Sequence, residues 1–234
     1  MSEISDRIAF VMDPMNKVNP EVDTSFALMR EAQKRGFEIV HVDPAQISLQ
    51  GDEVKLRGTR LKVHDDRQAP HTVLEAVHSP ATDFRAIFIR TDPPFDQDYL
   101  NATWLLSFAR RQGVRVFNDP RGIRNANEKL YALEFADLCP PTLVTASIDD
   151  VRVFLESVGG QAVAKPLDGF GGYGVMRLNQ GDSNVSAIVE LLSQAGTQPI
   201  IVQRYLPEAS QGDRRLFMLD GELVAVLQRP PAED

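Results

Sequence analysis

The chain has 234 residues, a formal net charge of −8 and a sequence pI near 5.1. That length allows one large or two small domains, and the charge argues against a general nucleic-acid or membrane-surface binder. Hydrophobic content of 43% and charged content of 25% are those of an ordinary soluble globular protein. No apolar run approaches membrane-spanning length, the first ten residues lack the pattern of a signal peptide, and the single cysteine, Cys139, excludes an internal disulfide and fits a reducing cytoplasm.

Arg7 to Met12 is an unbroken apolar strand of the kind that opens a buried parallel sheet, and Asp13-Pro14 ends it. Val22, Phe26, Met29 and Ala32 then recur at helical spacing with Gly36 as the stop, and Phe37 to Val42 returns as a strand, completing a β-α-β opening. The connection from Asp13 to Ser25 lies at the carboxyl end of the first strand, where open α/β sheets bind ligands. Asp23, Thr24 and Ser25 there either face a substrate or cap the helix. Ile47 to Val63 reads as antiparallel hairpins around Gly51-Asp52 and Arg57-Gly58. His64, His71 and His78 lack metal-ligand spacing and read as surface or loop residues.

Ala86 to Arg90 is another buried strand, running into the proline-stiffened loop Thr91 to Asp96. Arg90 either holds a substrate carboxylate or pairs with Asp92 or Asp96. Leu100, Trp104 and Phe108 line a helix stopped by Gly113, and Val114 to Phe117 supplies the next strand.

The composition shifts at Asn118-Asp119-Pro120, which divides the chain into an N-terminal domain over 1–119 and a second domain over 120–234. Asp119 can cap a helix with Pro120 at its first position, and Asn127 can cap a second helix carrying Glu128, Lys129, Leu130 and Leu133. Lys129 in a first turn opposes the helix dipole unless a phosphate binds there. Thr142 to Thr145 is a strand; Val151, Phe154, Leu155 and Val158 form a helical face ending at Gly159-Gly160. Val185, Ile188, Leu191 and Leu192 form another.

Between these helices lies AKPLDGFGGYGVMRL, Ala164 to Leu178. Gln161 to Lys165 is a short apolar strand closed by Pro166, and Val175 to Leu178 is a second one, so Asp168 to Gly174 forms a hairpin loop. Gly169, Gly171, Gly172 and Gly174 permit positive φ and close approach of backbone N–H groups to an anion, with Lys165 at the edge. Nucleotide phosphates are the obvious guest, a ligand-free glycine hairpin the bland alternative. The loop matches G-x-G-x-x-G, but a strand follows it where a dinucleotide-binding fold needs a helix. Neither kinase signatures nor a G-x-x-x-x-G-K-[ST] loop occurs. Pro199 to Leu206 is an apolar strand that either offers an edge and free backbone groups to an adenine ring or is simply core; a hairpin follows from Gly212.

Several stretches resemble, in order, the ATP-grasp superfamily and within it the prokaryotic glutathione synthetase family: VMDP (Val11 to Pro14), DTSFALMREAQKRG (Asp23 to Gly36), RTDPPFD (Arg90 to Asp96), NEKL (Asn127 to Leu130), KPLDGFGGYGV (Lys165 to Val175), VQRYLP (Val202 to Pro207) and GDRRLFMLDGE (Gly212 to Glu222). The resemblance implies an α/β fold with an N-terminal parallel-sheet domain and an incomplete ATP-grasp domain, its lid over about 141–202, followed by the start of the platform. It implies that Lys129 and Lys165 bind ATP phosphates, that the loop of Gly169, Gly171 and Gly172 covers them, and that Gln203, Tyr205 and Leu206 recognise adenine. Asp213 and Arg215 would face the nucleotide and reacting acyl group, with Arg215 catalytic; Arg204 stands where many relatives carry an acid. Asp23, Ser25, Arg90 and Asp92 would bind substrate.

The implied reaction joins γ-glutamylcysteine and glycine with ATP, through an acyl phosphate, in the cytoplasm, with no nucleic-acid or membrane partner and homo-oligomer formation left open. The basic glycine-rich loop and acidic and amide Mg2+ ligands of the family lie beyond the point matching Asp234, so no metal ligand is assigned here and the chain is expected to be an inactive truncated form. The alternatives are a nucleotide-binding or interaction module without ligase activity, and another ATP-grasp ligase joining a different carboxylate and amine.

Overall fold

A run of apolar residues without alternation suits a strand covered on both faces, and Arg7–Val11 (β1) takes that place. It pairs in parallel with Glu38–Val42 (β2) on one side and Ala86–Ile89 (β6) on the other. This computed structural model describes residues 6–230 and separates into two units, one ending at Asn127 and one beginning at Glu128.

In the first unit, Thr24–Lys34 (α1) connects β1 to β2; Asp23 caps it by accepting from the Phe26 N–H, and Phe26 and Met29 are buried. Val22 precedes the helix and is exposed. Val116–Phe117 (β7) extends the parallel part beside β6. On the other side Glu53–Val63 (β4) runs antiparallel to β2 and also pairs with Ile47–Gln50 (β3) and His71–Pro80 (β5). The order is β3-β4-β2-β1-β6-β7, with β5 along β4.

Arg57-Gly58 is therefore no turn but the middle of β4, where a Cβ on Gly58 would stand 2.2 Å from the His41 carbonyl oxygen. His71 and His78 lie in β5 rather than in a loop. Gln97–Arg111 (α2) buries Ala102, Thr103, Leu106 and Ala109, while Trp104 is 48% exposed. The helix is rotated from the expected face because its small residues pack against the sheet and leave the indole outside. Pro120–Asn125 (α3), capped by Asp119, packs on α2, so this helix belongs to the first unit although the composition shift precedes it. The sheet has two apolar layers, one around Val11, Val42, Leu56 and Leu106, the other around Phe10, Phe26, Met29 and Ile39.

The second unit contains Thr142–Thr145 (β8), Gln161–Pro166 (β9), Met176–Asn179 (β10) and Ile200–Arg204 (β11) in the order β10-β9-β11-β8, all antiparallel. Ile148–Ser157 (α4) and Val185–Leu192 (α5) supply Val151, Leu155, Val185 and Val189 to a core with Ala162, Ala164, Leu178, Ile200 and Val202. Leu191, expected inward, is 67% exposed, and Val189 takes the inward position. Because β11 is paired on both sides, it is a central strand and not a free edge.

Asn127 caps no α-helix: residues 128–130 form a turn and Tyr131–Leu138 a 3-10 helix. Its Tyr131, Phe135 and Leu138 are exposed, so no buried face holds an α-helix there. Asp213–Leu219 (β12) and Glu222–Arg229 (β13) form a two-stranded sheet turning at Asp220-Gly221, with every residue of both strands exposed. Among the described residues no helix is long and apolar enough to cross a membrane.

Candidate functional site

Strand register builds the first cluster. Lys165 on β9 lies opposite Ile201 on β11, and Gln203, two residues further, shares its face as a diagonal neighbour. The Lys165 ammonium donates to Gln203 Oε1 at 2.9 Å. Lys129, with 15% of its side chain exposed, donates to the Gly169 carbonyl oxygen at the base of the glycine loop, sits 3.5 Å from the Leu167 oxygen and pairs with Glu128 at 2.9 Å. Thus Lys129 reaches the loop from a turn, and the expected conflict with a helix dipole does not arise. Burial first, and the Lys129 charge second, push the Lys165 ammonium below the usual lysine range. Two cations in one another's field beside a glycine loop form a place whose electrostatics an anion relieves.

The glycines of that loop divide into two kinds. Gly171 and Gly172 have φ of +60° and +85°, and a Cβ on either would meet nothing within 4 Å. Gly169 is not left-handed, contrary to the expectation; a Cβ there would stand 2.6 Å from Pro166 Cγ and 3.0 Å from the Tyr173 carbonyl oxygen. Gly169 and Gly174, where a Cβ would meet Pro166, make the loop fit its base, and Gly171 and Gly172 allow its outer turn.

Both ends of the Gln203 amide are engaged, since its NH2 donates to Thr142 Oγ1 at 3.0 Å. In this arrangement the side chain holds Lys165. Tyr205 donates its backbone N–H to the Gln161 oxygen and lies under the Arg177 guanidinium, 4.1 Å from the ring centroid; Leu206 follows, 39% exposed. Asp213 and Arg215 belong to β12, in the separate two-stranded sheet. Arg229 binds both Asp213 oxygens, at 2.8 and 2.6 Å, and holds the carboxyl below its usual range. The Asp213 carboxylate would have to leave Arg229 to meet a ligand.

In the first unit, the carboxyl ends of β1 and β6 gather a second cluster. Arg90 follows β6, donates its backbone N–H to Val11 O at 2.7 Å, and reaches Ser25 Oγ at 2.9 Å and Thr24 Oγ1 at 2.6 Å. Among the described residues it forms no salt bridge with Asp92 or Asp96; Asp96 instead caps α2 through the Tyr99 N–H. The Asp92 N–H donates to Asp13 Oδ2 at 2.9 Å. Burial, then the Asp13 and Asp23 charges, push the Asp92 carboxyl above its usual range. Ser25 and Arg90 are joined directly, whereas Asp23 is occupied as the α1 cap.

Sequence reasoning missed Asp13 and Thr142. The first was signalled by its place straight after β1; the second had no signal, because its role depends on the partner strand. Among the described residues no three His, Cys, Asp or Glu side chains stand together as a group that could hold a metal ion.

Residues 7–124 match the family described as prokaryotic glutathione synthetase, N-terminal domain, and residues 128–234 match prokaryotic glutathione synthetase, ATP-grasp domain. The chain is 40% identical over 222 residues to a glutathione synthetase of Neisseria meningitidis serogroup B, covering 93% of this chain and 69% of the relative. It is 37% identical to a glutathione synthetase of Mesorhizobium japonicum, covering 97% and 72%. Its fold is similar to a RimK domain ATP-grasp protein of Sphaerobacter thermophilus, with a TM-score of 0.60 at 22% identity over 97% of this chain and 76% of the other. Both halves of the sequence therefore lead to one assignment: the chain belongs to the prokaryotic glutathione synthetase family.

Proposed function

We propose that the protein acts as an ATP-dependent carbon–nitrogen ligase of glutathione synthesis, using γ-glutamylcysteine and glycine. The observation that carries this reading beyond family membership is the Lys129–Lys165 pair beside the glycine loop. Bound ATP supplies the phosphoryl group that activates the cysteinyl carboxylate for attack by an amine. The two lysines neutralise phosphate oxygens, and Gln203 keeps the Lys165 ammonium in place.

Gly171 and Gly172 let the loop present backbone N–H groups over the phosphates and exclude water. Tyr205 and Leu206, just beyond the paired part of β11, are assigned to the adenine. Arg215 faces the acyl group and Asp213 the nucleotide once it is released from Arg229. In the first unit Arg90 receives a substrate carboxylate; Thr24 and Ser25 orient its guanidinium, and Asp92 and Asp23 favour an amino group nearby.

ATP-grasp enzymes in general use a divalent metal, and Mg2+ is the ion proposed here. The lone Cys139, whose thiol lies 3.2 Å from the Ala132 oxygen, suits a reducing cytoplasm.

The test is calorimetric titration of the purified protein with ATP, followed by an assay of ADP release and glutathione formation with both substrates and Mg2+. ATP binding lost in Lys165→Ala supports the site. ATP binding unchanged in that variant removes the lysine pair from it, and ADP release with a different carboxylate or amine partner but not with these two reassigns the substrates.

A further inference from the structure

The lysine at the centre of the second unit's site is held by a chain of hydrogen bonds that runs across the sheet to a residue so far without a role. Thr142 opens β8 and lies directly opposite Gln203 of β11 in the strand register. Its hydroxyl donates to the Pro140 carbonyl oxygen at 2.7 Å. That commits the hydroxyl proton, and the Thr142 oxygen is left to accept, which it does from the Gln203 NH2 at 3.0 Å. With its NH2 turned towards Thr142, the amide presents Oε1 to the Lys165 ammonium at 2.9 Å. The reverse orientation would set the amide NH2 against a donor-only ammonium and leave it repelled. One hydroxyl, itself oriented by one carbonyl, thus selects which end of the Gln203 amide meets Lys165.

We propose that Thr142 is a positioning residue for Lys165, acting through the Gln203 amide, so that the ammonium is held in place before its ligand arrives. The inference rests on the ATP reading for its consequence, but the positioning itself does not. A lysine side chain has several rotatable bonds, and half-buried beside a second cation it would otherwise turn outward; a fixed acceptor keeps it in the site. Register makes the device local. The three side chains come from adjacent strands in the order β8, β11, β9, on one face of the sheet.

The test uses Thr142→Val, which keeps the β-branched shape and removes the hydroxyl, and Thr142→Ser, which restores it. ATP affinity is measured by titration calorimetry. Lys165 is followed separately by its acylation with a water-soluble amine reagent as a function of pH, quantified by peptide mass spectrometry without nucleotide. Thr142→Val is expected to bind ATP about five- to twentyfold more weakly and to shift the Lys165 labelling profile to lower pH, because the charged form loses its acceptor. Its melting temperature should stay near that of the wild type, and Thr142→Ser should restore both readouts.

A merely structural role for Thr142 would lower melting without moving the labelling profile. Should Thr142→Val not fold, Thr142→Ala carries the same two measurements. Wild-type labelling and ATP affinity in the folded hydroxyl-free variant would overturn the proposal. If the wild type itself failed to bind ATP, the functional reading would fall, while the labelling profile would still decide whether Thr142 positions the lysine.

Discussion

The two clusters use like charges in opposite senses. At the carboxyl end of β1 and β6, the charges of Asp13, Asp23 and Arg90 act on Asp92, whose carboxyl is raised by burial and then by its acidic neighbours. In the second unit Lys165 and Lys129 share a field, and the Lys165 ammonium is lowered by burial and then by Lys129. Each displaced group is the one that gains when a ligand of opposite sign arrives. Neither displacement is explained by a salt bridge; both follow first from burial and second from like-charged neighbours. The first cluster is thereby suited to a ligand carrying an amine as well as a carboxylate, the second to a polyanion.

The most severe way to break that contrast is Lys165→Ala. Loss of a charge-assisted bond in a half-buried site should weaken ATP binding by about ten- to a hundredfold, with melting little changed; calorimetry checks the first and differential scanning the second. Equal affinity would mean the polyanion binds elsewhere.

Next in size is the loop. Val in place of Gly171 must adopt φ near +60°, which costs about 1–2 kcal/mol, and it also obstructs approach of the backbone to phosphate. ATP affinity should fall about tenfold, whereas Gly169→Ala, which collides with Pro166, should show its main effect in melting. A reversal of that order in paired melting and titration data would contradict the two roles assigned to the glycines.

Replacing Arg90 by Met removes the cation that acts on Asp92 and leaves Thr24 and Ser25 without their donor. Thermal denaturation should show a loss of about 1–2 kcal/mol, partly recovered by added salt, and γ-glutamylcysteine binding should fail.

The smallest effect belongs to Asp92→Asn. With a folded-state carboxyl raised above 3.8, the native form holds the Asp92 proton more tightly than the unfolded chain. Its contribution is therefore fully present below about that pH and lost as pH climbs through the raised value. The Asn variant escapes that loss, so it should melt slightly higher than the wild type at neutral pH and equally in acid. A melting series across pH that shows a constant gap would exclude the Asp92 carboxyl as the source.

Local chemistry is what the sequence by itself determined. Unbroken apolar runs announced β1 and β6, the Asp119-Pro120 pair announced the start of α3, and lysine followed by closely spaced glycines announced the β9–β10 hairpin. Order of motifs alone led to the family. Tertiary structure decided what depends on a neighbour distant in the chain. Gly58 looked like a turn and is a strand residue paired with β5, where the His41 carbonyl leaves room for no Cβ. Leu191 and Trp104 looked like core and are exposed because Val189, Ala102 and Ala109 fit closer to their sheets. The segment after Asn127 had helical spacing but no surface to bury it against. β11 could have been an edge or core until β8 and β9 paired on both sides, and that same pairing sets the Gln203 amide against Lys165. Propensity and spacing act over a few residues, whereas burial, register and hydrogen-bond partners are fixed only when strands far apart in sequence meet.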